Sequence, residues 1–339
     1  MRHILLILGI FCSTALAELP SPPEGSFSFA VIPDTQRYKG KGTKAEPDSQ
    51  APVTNVVFDA YTTWISDNLQ RQNIVFVSHV GDIVDRNVSD QWAIARTAMD
   101  RLHGRVPYGI SVGNHDMTSE GNSALFQSQF ASSRYAEMDW YGGHFQPDGP
   151  GETSGNNANS YQLFSVDGRR FVFLHLECNA PDNVLSWADD VLSTHRDRTA
   201  FITTHMSLGP LNKPKERDGY FTDPKGLMQW TKRHRERGNS PQQMWDECFR
   251  KHPNLRAVFS GDQSRTQSMY ASRQGDAGNI VHYFMSDYGS NGLRVYRFLP
   301  KIDHVEVITY NPITGSMTDS TQIVPDRGLH QFSVSLPLQ

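Results

Sequence analysis

The chain has 339 residues, 37% of them apolar and 20% charged, with a formal net charge of −4 at pH 7. Such a composition belongs to a globular protein, and its mild acidity argues against general nucleic-acid binding. No apolar run is long enough to span a bilayer comfortably.

The opening MRHILLILGIFCSTALA carries Arg2, an apolar run from Ile4 to Phe11 and a small-x-small pattern at Ala15-Leu16-Ala17. It reads as a secretory signal peptide cleaved after Ala17, which predicts a secreted or periplasmic protein. Residues 18–26 form a proline-rich linker, and residues 27–339 are expected to make a single domain. Two cysteines remain, Cys178 and Cys248. They either pair or sit unpaired in the core.

FSFAVIPD (27–34) is the first strand, and Phe58, Tyr61, Ile65 and Leu69 have helical spacing within 56–70. NIVFVSHV is a second strand, followed by a helix near Gln91–Leu102 and a third strand in PYGISVGNHD, 107–116. A Gly/Asn-rich loop ends at Ser160, then a hairpin over 161–177 turns at Asp167-Gly168. A helix near Pro181–His195 precedes strands RTAFITTHMS (198–207) and LRAVFSGD, and the remainder is mostly β. Alternating strands and helices predict a central sheet structure with helices on its faces.

Polar residues gather where the apolar strands stop: Asp34, then Asp82 and Asp85, then Asn114, His115 and Asp116, then His205, then Asp262. Each alone has a bland reading as a cap, a turn or a buried histidine. Together, at carboxyl ends of strands, they predict a crevice whose carboxylate, amide and imidazole groups hold a divalent cation.

PDTQ, GDIVD, GNHD and TTHMS, in that order, resemble the calcineurin-like metallophosphoesterases, whose pattern is D-x-H, GDxxD, GNH(D/E), a single His and GHxH. The resemblance covers about residues 27–335. It implies a four-layer αββα sandwich, two mixed β-sheets flanked by helices, with a metal centre at their edge. Asp82 would bridge two ions. Asp34 and Gln36 would belong to one site, and Asn114 and His205 to the other. His115 would assist the leaving group, oriented by the Asp85 carboxylate, while a metal-activated hydroxide attacks phosphorus.

Two departures stand out. Gln36 occupies the histidine position of D-x-H, and Asp262, Gln263 and Ser264 occupy the His-x-His positions. Asp262 offers an anionic oxygen to the Asn114/His205 site, whereas Ser264 is a poor ligand. The Asp34 site has thus lost both nitrogen donors and should favour Mg²⁺, Mn²⁺ or Ca²⁺ over Zn²⁺ or Fe. One or two ions are expected. Arg86 and Arg265 are candidates for phosphate contacts, each with a surface role as the alternative.

The segment PLNKPKERDGYFTDPKGLMQWTKRHRER is locally basic and aromatic, suited either to an anionic substrate or to a solvated face. Tyr135, Trp140, Tyr141 and His144 are expected on an opposite wall. The expected partner is a phosphorylated small molecule or an anionic polymer, with no nucleic-acid scaffold role and no stable membrane insertion. The competing reading is a catalytically degenerate member that binds an anionic ligand or glycan.

Overall fold

The computed structural model describes residues 19–149, 154–208, 233–290 and 292–339. The leader 1–17 and the basic stretch 213–232 lie outside the described residues.

Among the described residues, fourteen strands form two sheets of seven. The first sheet contains β1 (Phe27–Ile32), β2 (Ile74–His79) and β3 (Tyr108–Ile110). The second contains β4 (Tyr141–His144), β5 (Ser160–Val166), β6 (Arg169–Leu176), β7 (Thr199–Thr204), β8 (Leu255–Ser260), β9 (Ser268–Gln274) and β10 (Ile280–Ser286). The chain then returns to the first sheet with β11 (Leu293–Leu299), β12 (His304–Asn311), β13 (Ser316–Met317) and β14 (Phe332–Ser335). The sheet orders are β13-β12-β11-β1-β2-β3, with β14 on β12, and β4-β5-β6-β7-β8-β10-β9.

Side-chain alternation along the strands builds three apolar layers. Phe27, Phe29 and Val31 of β1 face Phe171, Phe173, Phe201 and Phe259 between the sheets. The opposite face of β1, Ala30 and Ile32, packs on Phe58, Tyr61 and Ile65 of α1 (Val56–Asn68) and on Trp92 and Met99 of α2 (Ser89–Asp100). On the far side, Val172, Leu174 and Ile202 cover Val184, Leu185 and Leu192 of α4 (Asp182–Thr194), with Met244 and Trp245 of the Pro241–Glu247 helix beside them. Helix, sheet, sheet, helix is the four-layer order expected from the sequence. Each fully buried Phe contributes roughly 1.5–3 kcal/mol of transfer free energy.

Local signals set the ends of elements. Asn55 caps α1 by accepting from the Phe58 amide at 3.0 Å. The β5–β6 hairpin turns at Asp167 and Gly168, both at positive φ (48° and 78°), as a two-residue turn between twisted strands requires.

The stretch after β3 is more structured than its Gly/Asn content suggests. It forms α3 (Ala124–Gln129) and strand β4, which pairs with β5. Tyr135 is buried there among Tyr108, Trp140 and Tyr141, all part of the first helix layer, so these aromatics serve packing and not an open wall. Both Cys178 and Cys248 are free and buried.

Candidate metal centre

Parallel pairing brings the site together. β1, β2 and β3 run parallel in one sheet, and β6, β7, β8 and β10 run parallel in the other. Their carboxyl ends deliver Asp34, Asp82 and Asn114 from the first sheet, and His205, Asp262 and Asp287 from the second. Asp82 and Asp262 sit at φ 50° and 69°, in the left-handed region that non-glycine residues uncommonly adopt. The adjoining glycines are required by proximity. A Cβ on Gly113 would lie 2.1 Å from the Asp82 amide nitrogen, and one on Gly261 would lie 2.1 Å from Asp34 Oδ1.

His205 decides what the pocket can hold. Its Nδ1 lies 2.9 Å from the Val80 carbonyl and donates to it. Nε2 then faces Asn114 Oδ1 at 3.1 Å, Asp82 Oδ1 at 3.2 Å and Asp262 Oδ1 at 3.7 Å. Three oxygens around one imidazole nitrogen call for a second proton on the ring or for a cation among them. Asp34, Asp82 and His205 each offer a ligand atom within 4.8 Å of the others.

Electrostatics points the same way. Burial opposes charge on His205, but Asp82, Asp34 and Asp262 together outweigh it and hold the imidazole well above its ordinary value. Burial, and next to it Asp287, push Asp34 well above the usual carboxylate range. Burial likewise pushes Asp262 and Asp287 up to about 7 each. Four carboxyl groups surround one imidazole, so the pocket is short of positive charge. A divalent ion with oxygen and nitrogen ligands fits this donor set.

His115 stands beside this cluster with its amide donating to Asp82 Oδ1 at 2.8 Å. Its Nδ1 meets the backbone carbonyl of Asp85 at 2.8 Å. The Asp85 carboxylate, expected to orient the ring, instead pairs with Lys44 at 2.7 Å. The GDIVD turn aims the Asp85 carbonyl at Nδ1, and the carboxylate meets Lys44, whose Nζ lies 3.4 Å from that same ring nitrogen. Gln36 donates from Nε2 to Asp82 Oδ2 at 2.7 Å. Ser264, Arg265 and Arg86 are exposed.

The family model for calcineurin-like phosphoesterases matches residues 27–265. The chain belongs to that family. A curated relative, the uncharacterized protein YvnB of Bacillus subtilis (strain 168), is 28% identical over 308 residues, which are 87% of this chain and 20% of that protein. The chain therefore spans about a fifth of that relative's length. Similar solved structures include the NAD nucleotidase NadN of Haemophilus influenzae, with a TM-score of 0.47, 12% identity, and coverage of 81% of this chain and 54% of that one. Another is a 5'-nucleotidase precursor from Thermus thermophilus, with a TM-score of 0.43, 12% identity, and coverage of 92% and 54%.

The calcineurin-like pattern includes Asp116 but not its partners, and it includes neither His234 nor Glu177. Asp116 is fully buried and accepts from the amides of Ile83 (2.9 Å), Val84 (3.1 Å) and Gly113 (2.8 Å), tying the GDIVD and GNHD loops together. Burial, with Asp82 adding to it, pushes this carboxyl up to about 6. His234, which has no ligand-like neighbours in sequence, lies buried with Nε2 3.3 Å from Glu177 Oε2 at the end of β6. Next to it Arg233 donates to the Asn114 carbonyl at 2.6 Å, fixing the end of the basic segment against the GNHD loop.

His252 likewise gains company, with Asp189 Oδ1 at 3.1 Å and Cys248 Sγ at 3.9 Å. These three could also cage an ion by distance. Burial pushes the Cys248 thiol far up, which favours a plain His–Asp hydrogen bond beside a protonated thiol. His79 and His175, inside strands, are structural: His175 Nε2 meets Ser78 Oγ at 2.9 Å and His79 Nε2 meets Thr35 Oγ1 at 3.1 Å.

Proposed function

We propose that the mature chain is an exported, metal-dependent phosphoester hydrolase acting on a phosphorylated small molecule or an anionic polymer. The observation that carries this reading is His205 Nε2, turned by its Val80 hydrogen bond toward Asp82, Asn114 and Asp262. Divalent cations, when bound, supply an activated water and positive charge against the phosphoryl oxygens. Asp82, Asn114, His205 and Asp262 would hold one ion. Asp34 and Asp82, with Gln36, would hold the other.

Asp82 is the residue common to both. Its two oxygens already address different sides, Oδ1 toward His205 and Oδ2 toward Gln36. His115 is the proton donor to the leaving oxygen. The Asp85 carbonyl fixes hydrogen on Nδ1, which leaves Nε2 to exchange the proton. Lys44 and Asp85 form a rim ion pair beside that ring. Arg86 and Arg265, both exposed, would contact substrate oxygens outside the pocket. Export rests on the leader 1–17.

The absence of imidazole at positions 36, 262 and 264 favours a second reading, in which the pocket binds an anionic ligand without turnover. The purified mature protein, stripped of metal and resupplied with Mn²⁺, Mg²⁺, Ca²⁺ or Zn²⁺, separates the two. Hydrolysis of an aryl phosphate monoester or diester supports the hydrolase. Metal uptake with no turnover of either ester supports the binding protein.

A further inference from the structure

Asp287 is a buried carboxylate that no motif singles out. It follows β10, which runs parallel to β8 with Met285 opposite Ser260. Continued two residues, that register sets Asp287 level with Asp262, so adjacent strands put two carboxylates on one rim. The Asp287 amide donates to the Gln267 carbonyl at 2.9 Å, which holds the turn in place. Asp287 is 4% exposed.

The Asp262 amide beside it lies 3.3 Å from Asp34 Oδ2, so the pair of strand tips to which Asp287 belongs borders the Asp34 carboxylate. Arg37 approaches from the outside, its guanidinium against Gly289. Asp287 therefore stands on the Asp34 side of the pocket. That is the side where Gln36 and Ser264 replace the two imidazoles, and Ser264 is exposed to solvent.

We propose that Asp287 is a metal ligand, which makes the Asp34 site an all-oxygen site of Asp34, Asp82, Asp287 and the Gln36 amide. Two buried carboxyl groups at the rim of one pocket are a donor pair that one cation can join. The β10 tip thus restores the anionic donor strength lost with the imidazoles. The donor set is hard, suited to Mg²⁺, Mn²⁺ or Ca²⁺, while the neighbouring site retains the His205 nitrogen. This inference rests on the proposed metal-dependent function and assigns a residue within it.

Mn²⁺ titration of the metal-free protein, followed by electron paramagnetic resonance and calorimetry, tests it. Wild type is expected to take up two ions per chain. Asp287→Asn should weaken one of them at least tenfold and leave the other unchanged, with circular dichroism confirming the fold. Two ions at wild-type affinity in Asp287→Asn would overturn the assignment alone. No ion bound by wild type would overturn the hydrolase reading as well. A second measurement needs no variant: in wild type, Zn²⁺ should displace Mn²⁺ first from the His205 site. Displacement first from the other site would remove the all-oxygen description.

Discussion

At the scale of single residues, the site depends on which atom of each group points inward. His115 is held by a backbone carbonyl, so its orientation survives changes to the Asp85 side chain. Asp85→Asn should therefore lower turnover less than tenfold, through Lys44 alone. His115→Ala should lower it about 10²–10⁴-fold, the usual contribution of a positioned acid or base, with ions per chain unchanged by elemental analysis. Equal losses in the two variants would restore the carboxylate to the orienting role. Gly261→Ala tests the close approach at Asp34 Oδ1, where a methyl at 2.1 Å cannot be accommodated. It should cut metal affinity while the far-ultraviolet dichroism stays native.

At the scale of elements, β2 and β6 carry histidines into a core that keeps them neutral. Burial, aided by His205 on His79 against a smaller upward pull from Asp82, and by His79 on His175, lowers each to about 3 from an ordinary 6.5. Between these values the unfolded chain binds protons that the folded chain does not. Stability is therefore complete above pH ~6.5 and falls as pH drops toward 3, by ~1.4 kcal/mol per pH unit for each ring. His175→Gln should flatten that fall, read as urea midpoints at pH 7, 6 and 5. An unchanged slope would mean the ring is protonated in the fold. Packing between the sheets is tested by Phe29→Ala, which removes a ring set edge-on to Phe76 and Phe201 and should cost about 3–5 kcal/mol.

For the whole molecule, the proposed metal centre would join the two sheets, because its candidate ligands come from both. Without ions, buried carboxylates face one another across that seam. Chelation should lower the thermal midpoint, and Mn²⁺ at a hundredfold excess over its dissociation constant should restore ~2.7 kcal/mol per site. Scanning calorimetry with and without chelator reads the shift. A midpoint indifferent to chelator would show that the strand tips converge without holding a cation.

How much of this was legible in sequence follows from the range of each signal. Alternation of apolar residues is local, so β1, β2, β7 and β8 and the helices packed on them could be read from the chain. The polar residues at their ends, Asp34, Asp82, Asn114, His205 and Asp262, could be named as neighbours because each sits where an apolar run stops. The structure does bring these five together. Asp287 was not legible, since MSDYG looks like any turn until the β8–β10 register sets it beside Asp262. The same holds for His234 against Glu177, partners 57 residues apart by number, and for the carbonyl of Asp85. Sequence by itself determined β1, β2, β7 and β8 and what their tips carry, while β4 was hidden in a Gly/Asn-rich stretch. Tertiary structure decided which tips meet and which atom each presents, because register between distant strands and the direction of a carbonyl in a turn are set by packing.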